Sequence, residues 1–256
     1  MSGAQRRQEI RDLLRMRPLS VSELAERYGV SESTVRRDLT QLSGAGEIVR
    51  TYGGALLSGG AEEQTLQERE TLARAEKAAI ARTAEAHVAG CRLVLLDAGT
   101  TVGALASRLA THDGLTVATP GLTSVDILAG APGIELIVIG GALRRLSLGM
   151  VGPLAESMVS QLTADAVFLG ADGVVAGRGI CEARPEQTSL KQLMVERSRA
   201  VYVLADAQKL GRAESNWWAS FTRPWTLITD ASATNAQLAL FRMDHLCTVE
   251  VAAATS

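Results

Sequence analysis

Residues 20–54 read SVSELAERYGVSESTVRRDLTQLSGAGEIVRTYGG, and the order of elements in this stretch decides how the N-terminal fold is read. Ser20 and Glu23 have the spacing of a capping box, in which a hydroxyl and a carboxylate satisfy each other's backbone N–H groups at a helix start. Val21, Leu24, Ala25 and Tyr28 then give that helix one apolar face. Gly29 ends it, because glycine enters the left-handed conformation of a tight helix exit at no steric cost. Ser31 suits the cap of a second helix, in which Val35, Leu39 and Leu42 recur at i, i+4 and i+7. With those three turned inward, Ser33, Thr34, Arg36, Arg37 and Gln41 remain on the outer surface. Such a surface suits the DNA major groove, with short hydroxyls near the helix start and guanidinium forks for guanine edges or phosphates.

Two arginines on an amphipathic helix fit a solvated face equally well. The residues that follow change the balance. Gly44 and Gly46 break the second helix, Glu47–Tyr52 has strand character, and Gly53-Gly54 permits a turn with positive φ. Helix, tight turn, helix and β-hairpin make a winged helix-turn-helix, which sets Arg50 and Tyr52 where a wing meets the DNA backbone or minor groove. A first helix over 5–17, with Ile10, Leu13 and Leu14 inward, completes a small domain over residues 1–57.

Composition sets the bounds. The 256 residues allow one large domain or two smaller ones, and 46% apolar with 21% charged residues is ordinary for a soluble globular protein. Net charge is −2, which excludes a basic nucleic-acid coat. The first sixty residues carry nine arginines, no lysine and seven acids, for +2, and the remainder carries −4. So small a positive charge must be placed locally, and a homo-oligomer, dimer or tetramer, is expected to bring several heads to one DNA. Cys91, Cys181 and Cys247 are isolated, with no CxxC, so reduced thiols in a cytoplasmic protein are expected. His87, His112 and His245 are scattered, and neither a metal site nor a cofactor is expected. MSGAQRRQEIRDLLRM is charged and periodic, unlike a signal peptide. No apolar run reaches the ~18 residues needed to cross a membrane.

Residues 58–75, Gly-rich and then acidic, read as a linker, and 76–256 as a second domain. A long helical stretch is expected over 65–89, with Leu72, Ile80, Ala84 and Val88 on its apolar face. From Arg92 the pattern becomes α/β: RLVLLD, LTVAT, IELIVIG, AVFLGAD, AVYVLAD and WTLITD alternate with helices near 101–111, 121–129, 153–162, 187–198 and 234–242. Apolar runs without strict alternation indicate strands covered on both faces, hence a Rossmann-like, mostly parallel sheet.

The strand ends of such a sheet converge on one edge. Asp97-Ala98-Gly99-Thr100-Thr101 runs from a strand into a helix start, where unpaired N–H groups favour an anion. The same edge would gather Thr119, Gly141, Asp172, Asp206 and Lys209, with Lys191 from the 187–198 helix. Carboxylates would read sugar hydroxyls while lysines and N–H groups hold a phosphate. Each of these residues alone fits a turn or a surface ion pair better than a ligand site; their joint placement points to a pocket for a small phosphorylated polyol. The Trp217-Trp218 and Trp225 cluster suits core or subunit packing better than ligand stacking.

VSESTVRRDLTQL followed by IVRTYGGA resembles the N-terminal signature of the DeoR family of bacterial transcriptional regulators. DAGTT, GGALRRLSLGMVGP, FLGADGV and DAQKLG resemble the landmarks of that family's C-terminal sensor domain, in the same order. The resemblance implies a sensor fold similar to ribose-5-phosphate isomerase and the coenzyme A transferases, and operator double-stranded DNA as partner. It also implies a sugar-phosphate effector on Asp97, Gly99, Thr100, Thr101, Asp172, Lys191 and Lys209. The sequence departs from the family pattern at Pro120, at Ala207 and Gln208, and before Lys191, where the family's loop acid aligns with Gln187 or, one residue off, with Glu186; all are expected at the pocket. The implied function is a regulator, a repressor of a carbohydrate or related catabolic operon. An isomerase- or transferase-like enzyme with an attached DNA-binding head is the rival reading, against which no clear base–acid pair is seen.

Overall fold

The computed structural model describes residues 3–16, 19–44, 48–51, 54–57 and 66–254, and the chain divides into two compact units, Met1–Glu63 and Gln64–Ser256.

The first unit contains α1 (Gly3–Met16), β1 (Leu19–Ser20), α2 (Val21–Tyr28), α3 (Glu32–Gly44), β2 (Ile48–Thr51) and β3 (Gly54–Leu57). The capping box is formed: Glu23 N donates to Ser20 Oγ at 3.1 Å, and Ser20 N to Glu23 Oε2 at 2.7 Å. Gly29 ends α2 at φ 58°, the left-handed exit expected of it. Ile10, Leu19, Val21, Leu24, Val35, Leu39 and Leu42 make the core, so the i, i+4, i+7 stripe of α3 does face inward. Strands β2 and β3 pair antiparallel with Thr51 opposite Gly54, and β1 joins the far side of β3. Tyr52 and Gly53 lie outside the described residues, as does the side chain of Arg50.

The second unit begins with α4 (Leu66–Thr71) and α5 (Arg74–Glu85), followed by β4 (Leu93–Leu96), α6 (Thr100–Leu109), β5 (Leu115–Thr119), α7 (Leu122–Leu128) and β6 (Ile134–Val138). A hairpin of β7 (Ala142–Arg144) and β8 (Gly149–Val151) precedes α8 (Pro153–Ser160), β9 (Ala164–Leu169), β10 (Gly173–Val175) and β11 (Gly179–Glu182). The chain ends with α9 (Pro185–Glu196), β12 (Ser198–Leu204), β13 (Trp217–Ala219), β14 (Trp225–Asp230), α10 (Asn235–Arg242) and β15 (Cys247–Ala252). Seven strands form one sheet in the order β15-β14-β12-β9-β4-β5-β6, with every neighbouring pair parallel.

Both faces of the central strands are buried, which is why those strands lack polar alternation. Leu95, Val167, Val203 and Leu227 pack with α8, α9 and α10 on one side. Val94, Leu96, Phe168, Leu204 and Ile228 pack with α5, α6 and α7 on the other. Two expectations fail here. The helix over 65–89 is broken at Leu72–Ala73, where Ala73 takes φ 51°, and Leu72 is exposed rather than on the buried face. Edge strand β15 was not foreseen. Its half-exposed residues include Glu250, which pairs with His87, so no apolar run marks it.

Trp225 is buried against Phe221 and Phe241, Trp218 lies under the Arg178 guanidinium at 3.7 Å, and Trp217 is exposed.

Candidate functional site

On α3, Ser33, Arg36, Arg37 and Gln41 are exposed and Thr34 is half-buried. Ser31 Oγ lies 2.8 Å from Ser33 Oγ and 2.9 Å from Thr34 Oγ1, so the hydroxyls gather at the start of the helix. Arg36 is paired with Glu32 one turn back at 2.9 Å, in an exposed contact of the kind that contributes little and exchanges readily. The helix is seated from behind by a residue that pattern reading passed over. Asp38 is buried and receives Arg6 Nε at 2.6 Å and Arg7 Nη1 at 3.2 Å, tying α1 to α3. Two of the nine N-terminal arginines therefore do structural work.

In the second unit, the chain leaves β4 for β5 on one side and reaches β9 on the other. This reversal of strand order opens a crevice at the carboxyl ends of β4 and β9, where open α/β sheets bind ligands. A cleft lies there. Asp97, Gly99, Thr100, Thr101, Asp172, Lys191 and Lys209 all line it, together with Arg69, Pro120, Ser147, Glu182 and Gln187.

Gly99 precedes α6 at φ 128°, a conformation side chains rarely adopt, and offers no side-chain cap. The first N–H groups of α6 therefore face the cleft with the positive end of the helix dipole. Beside them Thr101 is buried, and its hydroxyl has no hydrogen-bond partner.

Lys191 is buried in the wall of the cleft. Its ammonium donates to Gly170 O at 2.9 Å, meets Asp97 Oδ2 at 2.9 Å and is in short contact with Glu182 Oε1. Burial lowers its proton affinity, but Asp97 and Glu182 outweigh burial and hold Lys191 above the usual lysine range. Burial pushes the Glu182 carboxyl up to about 7, against the pull of Lys191 and with the help of Asp172 and Asp97. Glu182 Oε2 accepts from Gln187 Nε2 at 2.9 Å. Lys209 donates to Ala171 O at 2.7 Å; burial depresses it, partly offset by Asp206, Asp172 and Glu182.

Three expected residues sit elsewhere. Thr119 is fully buried, and its Oγ1 accepts from Gly121 N at 3.0 Å. Gly141 packs on the hairpin, where a Cβ would come within 2.7 Å of Val151 O. Asp206 caps the turn before Lys209, accepting from Gln208 N at 3.2 Å. Of the departures from the family pattern, Pro120 and Gln187 line the cleft; Glu186, Ala207 and Gln208 do not. Glu182 was missed because a single acid in a short strand carries no signal until the fold sets it against Lys191. Arg69 was missed because its segment reads as linker.

The model of the DeoR-like helix-turn-helix domain matches residues 6–58, and that of the DeoR C-terminal sensor domain matches residues 72–231. The chain is 34% identical to the transcriptional repressor AccR of Agrobacterium fabrum, over 90% of each chain. It is 30% identical to the glycerol-3-phosphate regulon repressor of Escherichia coli, over 83% of this chain and 84% of that one. A ribose 5-phosphate isomerase from Methanocaldococcus jannaschii superposes with a TM-score of 0.37 at 16% identity, over 52% of each chain.

Proposed function

Because the chain belongs to the DeoR family of DNA-binding transcriptional regulators, whose heads act on operator DNA, we propose that it is a repressor released by a phosphorylated sugar or polyol. Ser33, Thr34, Arg36, Arg37 and Gln41 are the reading surface, and Arg50 and Tyr52 belong to the wing. The protein acts as a homo-oligomer, because a single head of such low net charge has little general affinity for DNA. The second unit senses the effector, which must bind one arrangement of the heads better than the other.

The observation that carries the effector class is the uncapped start of α6, with the unpartnered Thr101 hydroxyl and the Lys209 ammonium lining the same cleft. N–H groups, a hydroxyl and a cation are the donor set of a phosphate site. Asp97 and Asp172 supply acceptors for hydroxyls. The relative named for the glycerol-3-phosphate regulon fits the same class.

A thermal-shift panel tests it. Glycerol 3-phosphate, ribose 5-phosphate and other sugar phosphates are compared with glycerol and the free sugars. A phosphorylated compound is expected to stabilise the protein and its parent to do so far less. Stabilisation only by a free sugar, a nucleoside or an amino acid contradicts the phosphate site.

A further inference from the structure

Arg69 falls between the two matched family segments, 6–58 and 72–231, yet it lines the cleft from α4, the first helix after the boundary at Glu63 and Gln64. Its guanidinium is enclosed but incompletely held. Nη2 donates to Leu146 O at 2.7 Å. Nη1 stands 3.8 Å from Asp172 Oδ1, an ion pair too long for a hydrogen bond. Nε is buried and has no hydrogen-bond partner. A buried donor in this condition is unfavourable, and an oxyanion is the ligand that a guanidinium fork matches best.

The cleft's other cations sharpen the point. An ammonium has three protons, and Lys191 already faces three acceptors: Asp97, Glu182 and Gly170 O. Arg69 and Lys209 are thus the lining cations with donor capacity left for a ligand.

Arg69 also sits on a short element. A six-residue helix does not persist alone. Lys77 Nζ holds its end, in short contact with Arg69 O and at 2.8 Å from Leu72 O, and the Arg69 side chain ties its middle to Asp172 and Leu146. The head precedes α4 in sequence.

We propose that Arg69 both binds the effector anion and reports it to the DNA-binding head. The bound oxyanion takes Nε and an Nη proton in a forked contact, replaces the long contact to Asp172, and draws α4 and the chain attached to it into a second position. The proposal rests on the phosphate reading of the cleft and deepens it.

The test uses the full chain as wild type, Arg69→Gln and Arg69→Lys. The probes are glycerol 3-phosphate, ribose 5-phosphate and inorganic phosphate. Ligand affinity is read by calorimetry. Coupling is read as the ratio of operator Kd with and without ligand, at concentrations that saturate each variant. Arg69→Gln should weaken the best wild-type ligand by about tenfold or more and bring the ratio close to one even at saturation. Arg69→Lys, which keeps the charge and loses the fork, should recover part of the affinity and little of the ratio. Wild-type affinity and ratio in Arg69→Gln overturn the role of Arg69 and leave the phosphate reading standing. No binding of any phosphate to the wild type overturns both.

Discussion

Lys191 Nζ lies 2.9 Å from Asp97 Oδ2, with both side chains buried, and this contact belongs to the architecture of the cleft as much as to its chemistry. Asp97 Oδ2 also accepts from Gly170 N at 3.0 Å, so the pair clamps the end of β4 to the end of β9. Removing one partner of a buried ion pair leaves the other uncompensated, at a cost of about 3–5 kcal/mol. Lys191→Met is therefore expected to lower unfolding stability by about that amount, as read by urea denaturation. Lys209→Ala should change stability much less and effector affinity much more. Equal stability losses in the two variants would contradict the division of roles.

Asp38 gives a parallel expectation in the head. Asp38→Ala leaves Arg6 and Arg7 without their buried acceptor and should destabilise the first unit by about 2–3 kcal/mol. Circular dichroism on a denaturant series should show the loss, with operator binding falling alongside it. A stable head with normal operator affinity would mean that the pairing of α1 with α3 is dispensable.

Arg36 and Arg37 should behave otherwise, because they are exposed on α3 and their loss leaves the core untouched. Each Arg→Ala change is expected to cost about 1–3 kcal/mol of operator affinity for a bidentate base contact. For a phosphate contact it should lower the salt slope by about one and weaken all sequences alike. Unchanged operator affinity in both folded variants would remove α3 as the reading helix.

Glu182 sets a pH dependence. Its carboxyl is raised from the ordinary 4.5 to about 7, chiefly by burial. Between those values the folded state holds a proton that the unfolded state has released, so the contribution of Glu182 to stability is full below pH 4.5 and is lost as pH rises through 7. The midpoint of thermal unfolding, followed from pH 4.5 to 8, should decline for this reason in the wild type. The decline should be shallower in Glu182→Gln. Parallel profiles would show that Glu182 is ionised throughout.

The helix-turn-helix was legible because each of its signals is local. Ser20 with Glu23, Gly29, and the stripe Val35, Leu39, Leu42 act within a few residues of one another. The parallel sheet was legible because two buried faces leave continuous apolar runs. The cleft was half legible. Strand-end position nominated Asp97, Thr100, Thr101, Asp172 and Lys209, which line one cleft, and equally Thr119, Gly141 and Asp206, which serve turns and packing. Strand ends all face one edge, and only the strand order says which two flank the crevice. Asp38 and Arg69 were illegible because each acts through a partner far away in sequence, Arg6 or Asp172, and Glu182 because only the fold turns it onto Lys191.

A phosphorylated metabolite in the second unit is proposed to control DNA binding by the first. An operator titration of the full chain by fluorescence anisotropy, with and without the sugar phosphate that stabilises it most, tests this directly. The free sugar or polyol serves as control. Operator Kd should rise by about tenfold or more with the phosphorylated compound and stay unchanged with its parent. An operator Kd that is the same with and without a saturating phosphorylated ligand would contradict the account.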